Sequence, residues 1–173
     1  MEFKGRAHKF GDDINTDYII SGKYKFKTLD MNELARHVME DLDQDFYSKI
    51  TPGDFLVAGR NFGCGSSREQ APLAVKHARL SAVLAKSFAR IFYRNAINTG
   101  LPVVECDTDQ IEPGDELVVD LAAGVIHNLT RGVAIEVKPV PSVMLQILND
   151  GGLAAHFRKY GEFKLDQEEE NAL

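Results

Sequence analysis

Three short apolar runs mark the middle of the chain. Phe55-Leu56-Val57-Ala58, Ala82-Val83-Leu84-Ala85 and Leu101-Pro102-Val103-Val104 are too short for helices and are flanked by turn formers, the pattern of strands buried on both faces. Between them, residues 71–78 and 88–97 carry helical patterning, and Gly100 stands where the second helix would stop. Strand, helix, strand, helix, strand in that order predicts parallel strands covered by helices through right-handed crossovers. Beyond Pro113-Gly114-Asp115 the period changes. Residues 116–119 and 133–137 read as strands separated by a turn around Gly124 and Asn128, so this part is mainly β. The expected fold class is α/β, a mixed and largely parallel sheet with helices plus a smaller β part.

The flanks are less regular. Residues 11–20 mix turn formers with isolated apolar side chains, which predicts a polar loop leading into a short strand or turn. Leu34, Ala35, Val38, Met39 and Leu42 recur at three- and four-residue spacing and predict an amphipathic helix from about 32 to 41. Asp30 followed by Glu33 approximates a capping box at its start. Pro52-Gly53 forms a turn before the first apolar run. Pro141-Ser142 starts a final helix bearing Val143, Met144, Ile147 and Leu148, which Gly151-Gly152 end.

Composition narrows the function. With 173 residues and no low-complexity linker, the chain reads as one compact domain. No stretch approaches the roughly 18 apolar residues that a membrane span needs. The first residues lack the apolar core of a secretory signal, and two cysteines in unlike contexts argue against a disulfide framework. Both point to a reducing, cytoplasmic setting. A net charge of −6 without a clustered basic surface makes nucleic acid an unexpected partner. Part of that charge lies in Asp166-Gln167-Glu168-Glu169-Glu170, so residues 166–173 are expected to form a solvated acidic tail on a folded unit of 1–165.

The candidate chemistry is concentrated in Asn61-Phe62-Gly63-Cys64-Gly65-Ser66-Ser67-Arg68-Glu69-Gln70-Ala71-Pro72. Gly63 and Gly65 allow positive φ and close approach of a ligand, and the following residues open a helix whose free N–H groups favour an anion. Ser66 does not sit in the Gly-x-Ser-x-Gly elbow of hydrolases. Local chemistry leaves two roles for it, a helix N-cap or a general base whose alkoxide is stabilised by positive charge. Arg68 either grips a carboxylate in bidentate fashion or pairs with Glu69 or an acid of the N-terminal loop. Cys64 and Cys106 lack metal-type spacing, and two thiols cannot hold a four-cysteine cluster. The five histidines show no ligand spacing. Lys86, Arg90 and Arg94 share a helical neighbourhood, either as a solvated face or as the wall of an anionic pocket.

Asp13-Ile14-Asn15-Thr16-Asp17-Tyr18-Ile19-Ile20, the stretch Gly59 to Glu69, Lys86-Ser87-Phe88-Ala89-Arg90-Ile91-Phe92 and Leu148-Asn149-Asp150-Gly151-Gly152-Leu153 together resemble the small subunits of 3-isopropylmalate dehydratase, in the aconitase superfamily. The likeness runs over nearly the whole chain. It implies a swivelling β/β/α domain that closes over the active site of a separate large subunit, which holds a [4Fe–4S] cluster. It further implies that Ser66 removes the substrate's carbon-bound proton, that Ser67 and Arg68 bind carboxylate, and that Asp17 belongs to the same site. This chain would carry no metal ligand. The implied activity is that of a lyase, the reversible dehydration of a hydroxy dicarboxylic acid such as isopropylmalate in leucine biosynthesis, with iron polarising the hydroxyl.

The chain departs from the resemblance where the substrate's variable group is sensed. Tyr24-Lys25-Phe26-Lys27-Thr28 stands where such enzymes commonly carry Tyr-Leu-x-Thr. Lys27 is therefore a candidate substrate contact, reading a distal carboxylate as in homoaconitate or lying beside a small alkyl group as in isopropylmalate or dimethylmalate. Gln70 replaces a histidine often found after Ser-Ser-Arg-Glu. Two rivals remain: a non-catalytic module that holds an anion for regulation, and a dinucleotide enzyme. The missing third glycine and acidic residue count against the latter.

Overall fold

The computed structural model describes residues 1–163, so the acidic tail expected at 166–173 lies outside the described residues. One seven-stranded sheet runs through the chain in the order β4-β3-β2-β1-β5-β6-β7. Its strands are β1 (Glu2–Lys9), β2 (Phe55–Ala58), β3 (Ala82–Ala85), β4 (Val103–Glu105), β5 (Glu116–Asp120), β6 (Val125–Asn128) and β7 (Val133–Glu136). β1 to β4 pair in parallel, and β1, β5, β6 and β7 pair antiparallel. The expected parallel and β parts are thus two halves of one sheet. β1 joins them, with Ala7 opposite Phe55 on one side and Glu2 opposite Asp120 on the other.

β2 and β3 are buried along their whole length. Four consecutive apolar residues fit a strand covered on both faces, which is why these elements stood out in the sequence. The helices that follow them are α5 (Gln70–His77) and α6 (Arg90–Thr99), the latter ended by Gly100 at φ 82°. α6 packs on α5, α7 (Ser142–Asn149) and α8 (Leu153–Tyr160). Before β2 come four short helical turns, α1 (Thr16–Ile19), α2 (Gly22–Lys25), α3 (Met31–Ala35) and α4 (Phe46–Lys49).

The helix expected over 32–41 is shorter than its apolar spacing implies. Met39 adopts φ 57° and gives its N–H to Ile19 O at 3.0 Å instead of Ala35 O, so the chain continues in turns after α3. Leu34, Ala35, Val38 and Met39 are buried all the same. Asp30 does cap the helix, accepting from Asn32 N–H at 2.9 Å, but Thr28 Oγ1 takes the Asp30 N–H that the capping box assigned to Glu33. The segment read as a turn around Asn128 is the end of β6. Asn128 is buried there because its Nδ2 donates to Gln110 O and to Asp115 Oδ2.

Asp54, at the entry to β2, ties β1 to the sheet. Only 4% exposed, it accepts the N–H groups of Arg6 and Thr51 and lies 2.7 Å from His8 Nε2. Burial opposes its ionisation, but these hydrogen bonds and the His8 ring outweigh that and hold its carboxyl below the ordinary 3.8. A depressed carboxyl contributes stability that is complete above its unfolded value and lost as pH falls through its folded one. Asp54→Asn should therefore cost roughly 2 kcal/mol in urea unfolding at pH 7. The loss should shrink as the pH falls below 3.8, where the unfolded carboxyl is protonated before the native one.

Candidate active site

The glycine loop after β2 is clamped from two sides. On one side, Gly63 N–H donates to Ile14 O at 2.7 Å, Thr16 N–H to Cys64 O at 2.9 Å and Thr16 Oγ1 to Ser66 O at 2.8 Å. On the other, Phe62 N–H donates to Ser87 O and accepts from Ala89 N–H through its carbonyl, which docks the loop on the entry to α6. Gly63 takes φ 80°, and a Cβ there would lie 2.2 Å from Phe92 Cγ, so both the conformation and the space require glycine. Asn61 and Asp13 also occupy the left-handed region, and Asn61 Nδ2 donates to Asp13 Oδ1 at 2.9 Å, locking the two loops together.

This clamp presents Ser66 and Ser67, both exposed, at a cavity of about 330 Å³. Arg68, Thr16, the start of α6 and Asn95 line it as well. Asn95 Nδ2 donates to Ser67 Oγ at 3.4 Å. The helix end expected at this spot is not the one found. α5 begins only at Gln70 with Glu69 as its cap, so the serines are not helix caps, and none of its residues lines the cavity. Ala89, Arg90, Ile91 and Phe92 do, and the N-terminus of α6 has no side-chain cap among the described residues. The free N–H groups that favour an anion thus come from a helix reached through the Phe62–Phe88 bridge, about 20 residues further along the sequence.

Arg68 is 15% exposed, and its Nη1 forms an ion pair with Asp17, the acid of the N-terminal loop, not with Glu69. Its Nη1 is occupied by that pairing, whereas its Nε is sealed from solvent without a partner. Such a donor is costly to leave idle, and a carboxylate entering the cavity would satisfy it. Asp17 itself is 58% exposed. Lys27, by contrast, is exposed and absent from the described cavity lining. Its loop springs from Tyr24, which stacks on His37 and donates to Glu40 Oε1 at 2.7 Å.

The three cations of the 86–94 neighbourhood separate. Lys86 pairs with Asp109 at 2.7 Å, Arg94 lines a different groove, and Arg90 reaches the cavity. Thr16 and Asn95 were not singled out from the sequence. Asn95 had a faint signal, a polar side chain sharing a helix face with Ile91 and Phe92. The cysteines suit neither nucleophile nor ligand: burial and then Asp13 raise the Cys64 thiol, while burial and then Asp107 push Cys106 up to about 12. Among the described residues, no group of three or more His, Cys, Asp or Glu is placed to hold a metal, and no helix is long and apolar enough to cross a membrane.

Known proteins are similar to this chain in sequence and fold. Residues 14–108 match the aconitase C-terminal domain. The 3-isopropylmalate dehydratase small subunit 2 of Archaeoglobus fulgidus is 61% identical over 165 residues, covering 95% of this chain and all of that one. A methanogen homoaconitase small subunit from Methanothermobacter thermautotrophicus is 54% identical, over 90% of this chain and 91% of its own. A crystal structure titled 3-isopropylmalate dehydratase from Methanocaldococcus jannaschii superposes with a TM-score of 0.89 at 48% identity, covering 93% of this chain and 96% of that one. Fold and sequence converge, and the chain belongs to the aconitase C-terminal domain family, within the branch that contains the small subunits of 3-isopropylmalate dehydratase and homoaconitase.

Proposed function

We propose that this chain is the small subunit of a hydro-lyase that interconverts hydroxy diacids by dehydration and rehydration, with 2- and 3-isopropylmalate as the substrates its relatives' names favour. One observation carries the reading: two serine hydroxyls, two guanidiniums and an uncapped helix N-terminus meet at a cavity whose described lining holds no carboxylate. In this reading Ser66 Oγ takes the carbon-bound proton beside a substrate carboxylate. Charge builds on that carboxylate as the proton leaves, and Arg68 with the α6 N–H groups opposes it. Ser67, held by Asn95, and Arg68, oriented by Asp17, bind the same carboxylate. Lys27 would meet the substrate's variable group only once the two chains close, since here it stands outside the cavity lining.

The two raised thiols of this chain do not suit an iron–sulfur cluster. In this reading, a [4Fe–4S] cluster sits on the large subunit, as the likeness to the aconitase family implies, and its iron would supply the Lewis acidity that hydroxide departure needs. The described residues would act as the unit that closes over that subunit. Free cysteines are consistent with a cytoplasmic protein.

Co-expression with the cognate cluster-bearing chain provides the test. The pair should form and consume the unsaturated diacid, followed by its ultraviolet absorbance, whereas this chain alone should be silent. Assays against isopropylmalate, homoaconitate, dimethylmalate and citrate then identify the substrate. A stable two-chain complex, loaded with cluster and inert towards all four, would refute the assignment.

A further inference from the structure

Gly65, Ser66 and Ser67 belong to no regular element: Cys64 is bridged to Asn15, and α5 begins only at Gln70. Gly65, at φ 89°, does little to limit the path of the chain that follows it. Among the described residues, the backbone of these three makes one hydrogen bond, the 2.8 Å contact in which Thr16 Oγ1 donates to Ser66 O. The Ser66 carbonyl and the Ser67 N–H share one planar peptide unit, so holding the first also holds the second.

Thr16 is placed to act as a brace. It is 2% exposed, and a hydroxyl so buried needs a partner. Its N–H donates to Cys64 O at 2.9 Å, so main chain and side chain both grip the serine loop, the hydroxyl from 50 positions away. The next residue, Asp17, pairs with Arg68. The single turn of α1 thus keeps the serines and the guanidinium in a fixed relation, and Thr16 itself lines their cavity.

We infer that Thr16 is a positioning residue for the reaction, whose hydroxyl holds Ser66 where its Oγ can take the carbon-bound proton. This deepens the hydro-lyase reading and rests on it. A general base works only within hydrogen-bond reach of its proton, and a displacement of about 1 Å can cost about a hundredfold in rate. Without the Thr16 hydroxyl the Ser66–Ser67 peptide is free to rotate, and Ser66 spends less time at that distance. Arg68 keeps its orientation, because Asp17 is retained. The loss therefore falls on kcat rather than on substrate affinity.

Two independent measurements test the brace. In the full chain labelled with nitrogen-15, the Ser67 amide should have an order parameter of about 0.85 in wild type and below about 0.6 in Thr16→Val, with β2 unchanged. A Ser67 value already low in wild type, or unmoved by the substitution, overturns the brace whether or not the enzyme turns over. In the two-chain enzyme, wild-type turnover of a hydroxy diacid is measured first. Its absence refutes the hydro-lyase reading without reference to Thr16, and the amide then decides the brace alone. Against an active wild type, Thr16→Val should lower kcat about thirtyfold and change KM by less than about threefold, and Thr16→Ser, which keeps the hydroxyl, should recover most of the rate. Added to Ser66→Ala, the valine should cost less than about threefold, since the brace then has no base to place. Thr108→Val serves as the control. It removes an equally buried hydroxyl from Ala58 O, its acceptor at 2.9 Å, and should lower the unfolding temperature as Thr16→Val does while kcat holds. Equal kcat losses at the two threonines, a full thirtyfold loss on top of Ser66→Ala, or no rescue by serine would overturn the assignment. Should valine block assembly, Thr16→Ala is read in the same way.

Discussion

Ser66→Ala should lower kcat of the reconstituted two-chain enzyme by about a thousandfold, within the usual range for losing a general base. A serine hydroxyl is a poor base in water, so the effect depends on surroundings that favour its alkoxide. Those surroundings are the Arg68 guanidinium, whose solvent-sealed Nε lacks a partner, and the uncapped start of α6. Removing one exposed oxygen disturbs no packing, and Ser66 is held through its backbone carbonyl by Thr16 Oγ1, which alanine preserves. Assembly by size exclusion and the unfolding temperature should therefore match wild type, as should KM. Exchange of the substrate's carbon-bound proton with deuterated solvent should stop along with turnover. Near-normal turnover or exchange in Ser66→Ala would strip the residue of its role.

Gly63→Ala should destabilise the fold by about 3 kcal/mol, which in a domain of this size lowers the unfolding temperature by about 10 °C. Two costs add. A φ of 80° strains any side chain by about 1–2 kcal/mol. The new Cβ would also stand 2.2 Å from Cγ and 2.4 Å from Cβ of Phe92, a buried ring packed edge-on against Phe62 and stacked with Phe88, so it cannot move aside cheaply. Gly65→Ala separates the two costs. Gly65 has φ 89°, but its added Cβ would come no nearer than 3.5 Å to Asn15 Cβ, so only the strain remains. Thermal unfolding followed by circular dichroism should rank the variants wild type, Gly65→Ala, Gly63→Ala. Equal losses at the two glycines would contradict the clash.

Elements with uniform surroundings were legible in the sequence, and elements whose surroundings lie far along the chain were not. β2 and β3 are apolar throughout because both faces are covered. β1 escaped notice because Glu2, Lys4, Arg6, His8 and Lys9 break its apolar pattern, although it lies mid-sheet and only Ala7 is fully buried. Gly5 weakened the strand signal further, yet a Cβ there would come 2.3 Å from Gly53 O. β6 was misread because Asn128 looks like a turn residue until Asp115 and Gln110 O are seen to satisfy it. The site followed the same rule. The glycine loop and its hydroxyls were visible locally, as was the choice of partners open to Arg68. The helix whose end faces them was assigned to the nearest candidate in sequence, because the Phe62–Phe88 bridge leaves no local trace. Lys27 drew attention through its loop, whereas Arg90 acquires its position only from that bridge.

The central placement of β1 governs the order in which the molecule can be made. β1 pairs with Phe55 on one flank and, through Glu2, with Asp120 on the other. It must wait, unpartnered on its second edge, until β5, more than a hundred residues further along, has been synthesised. Closure of the sheet is thus a late event in biogenesis, set by long-range pairing rather than by local helix formation.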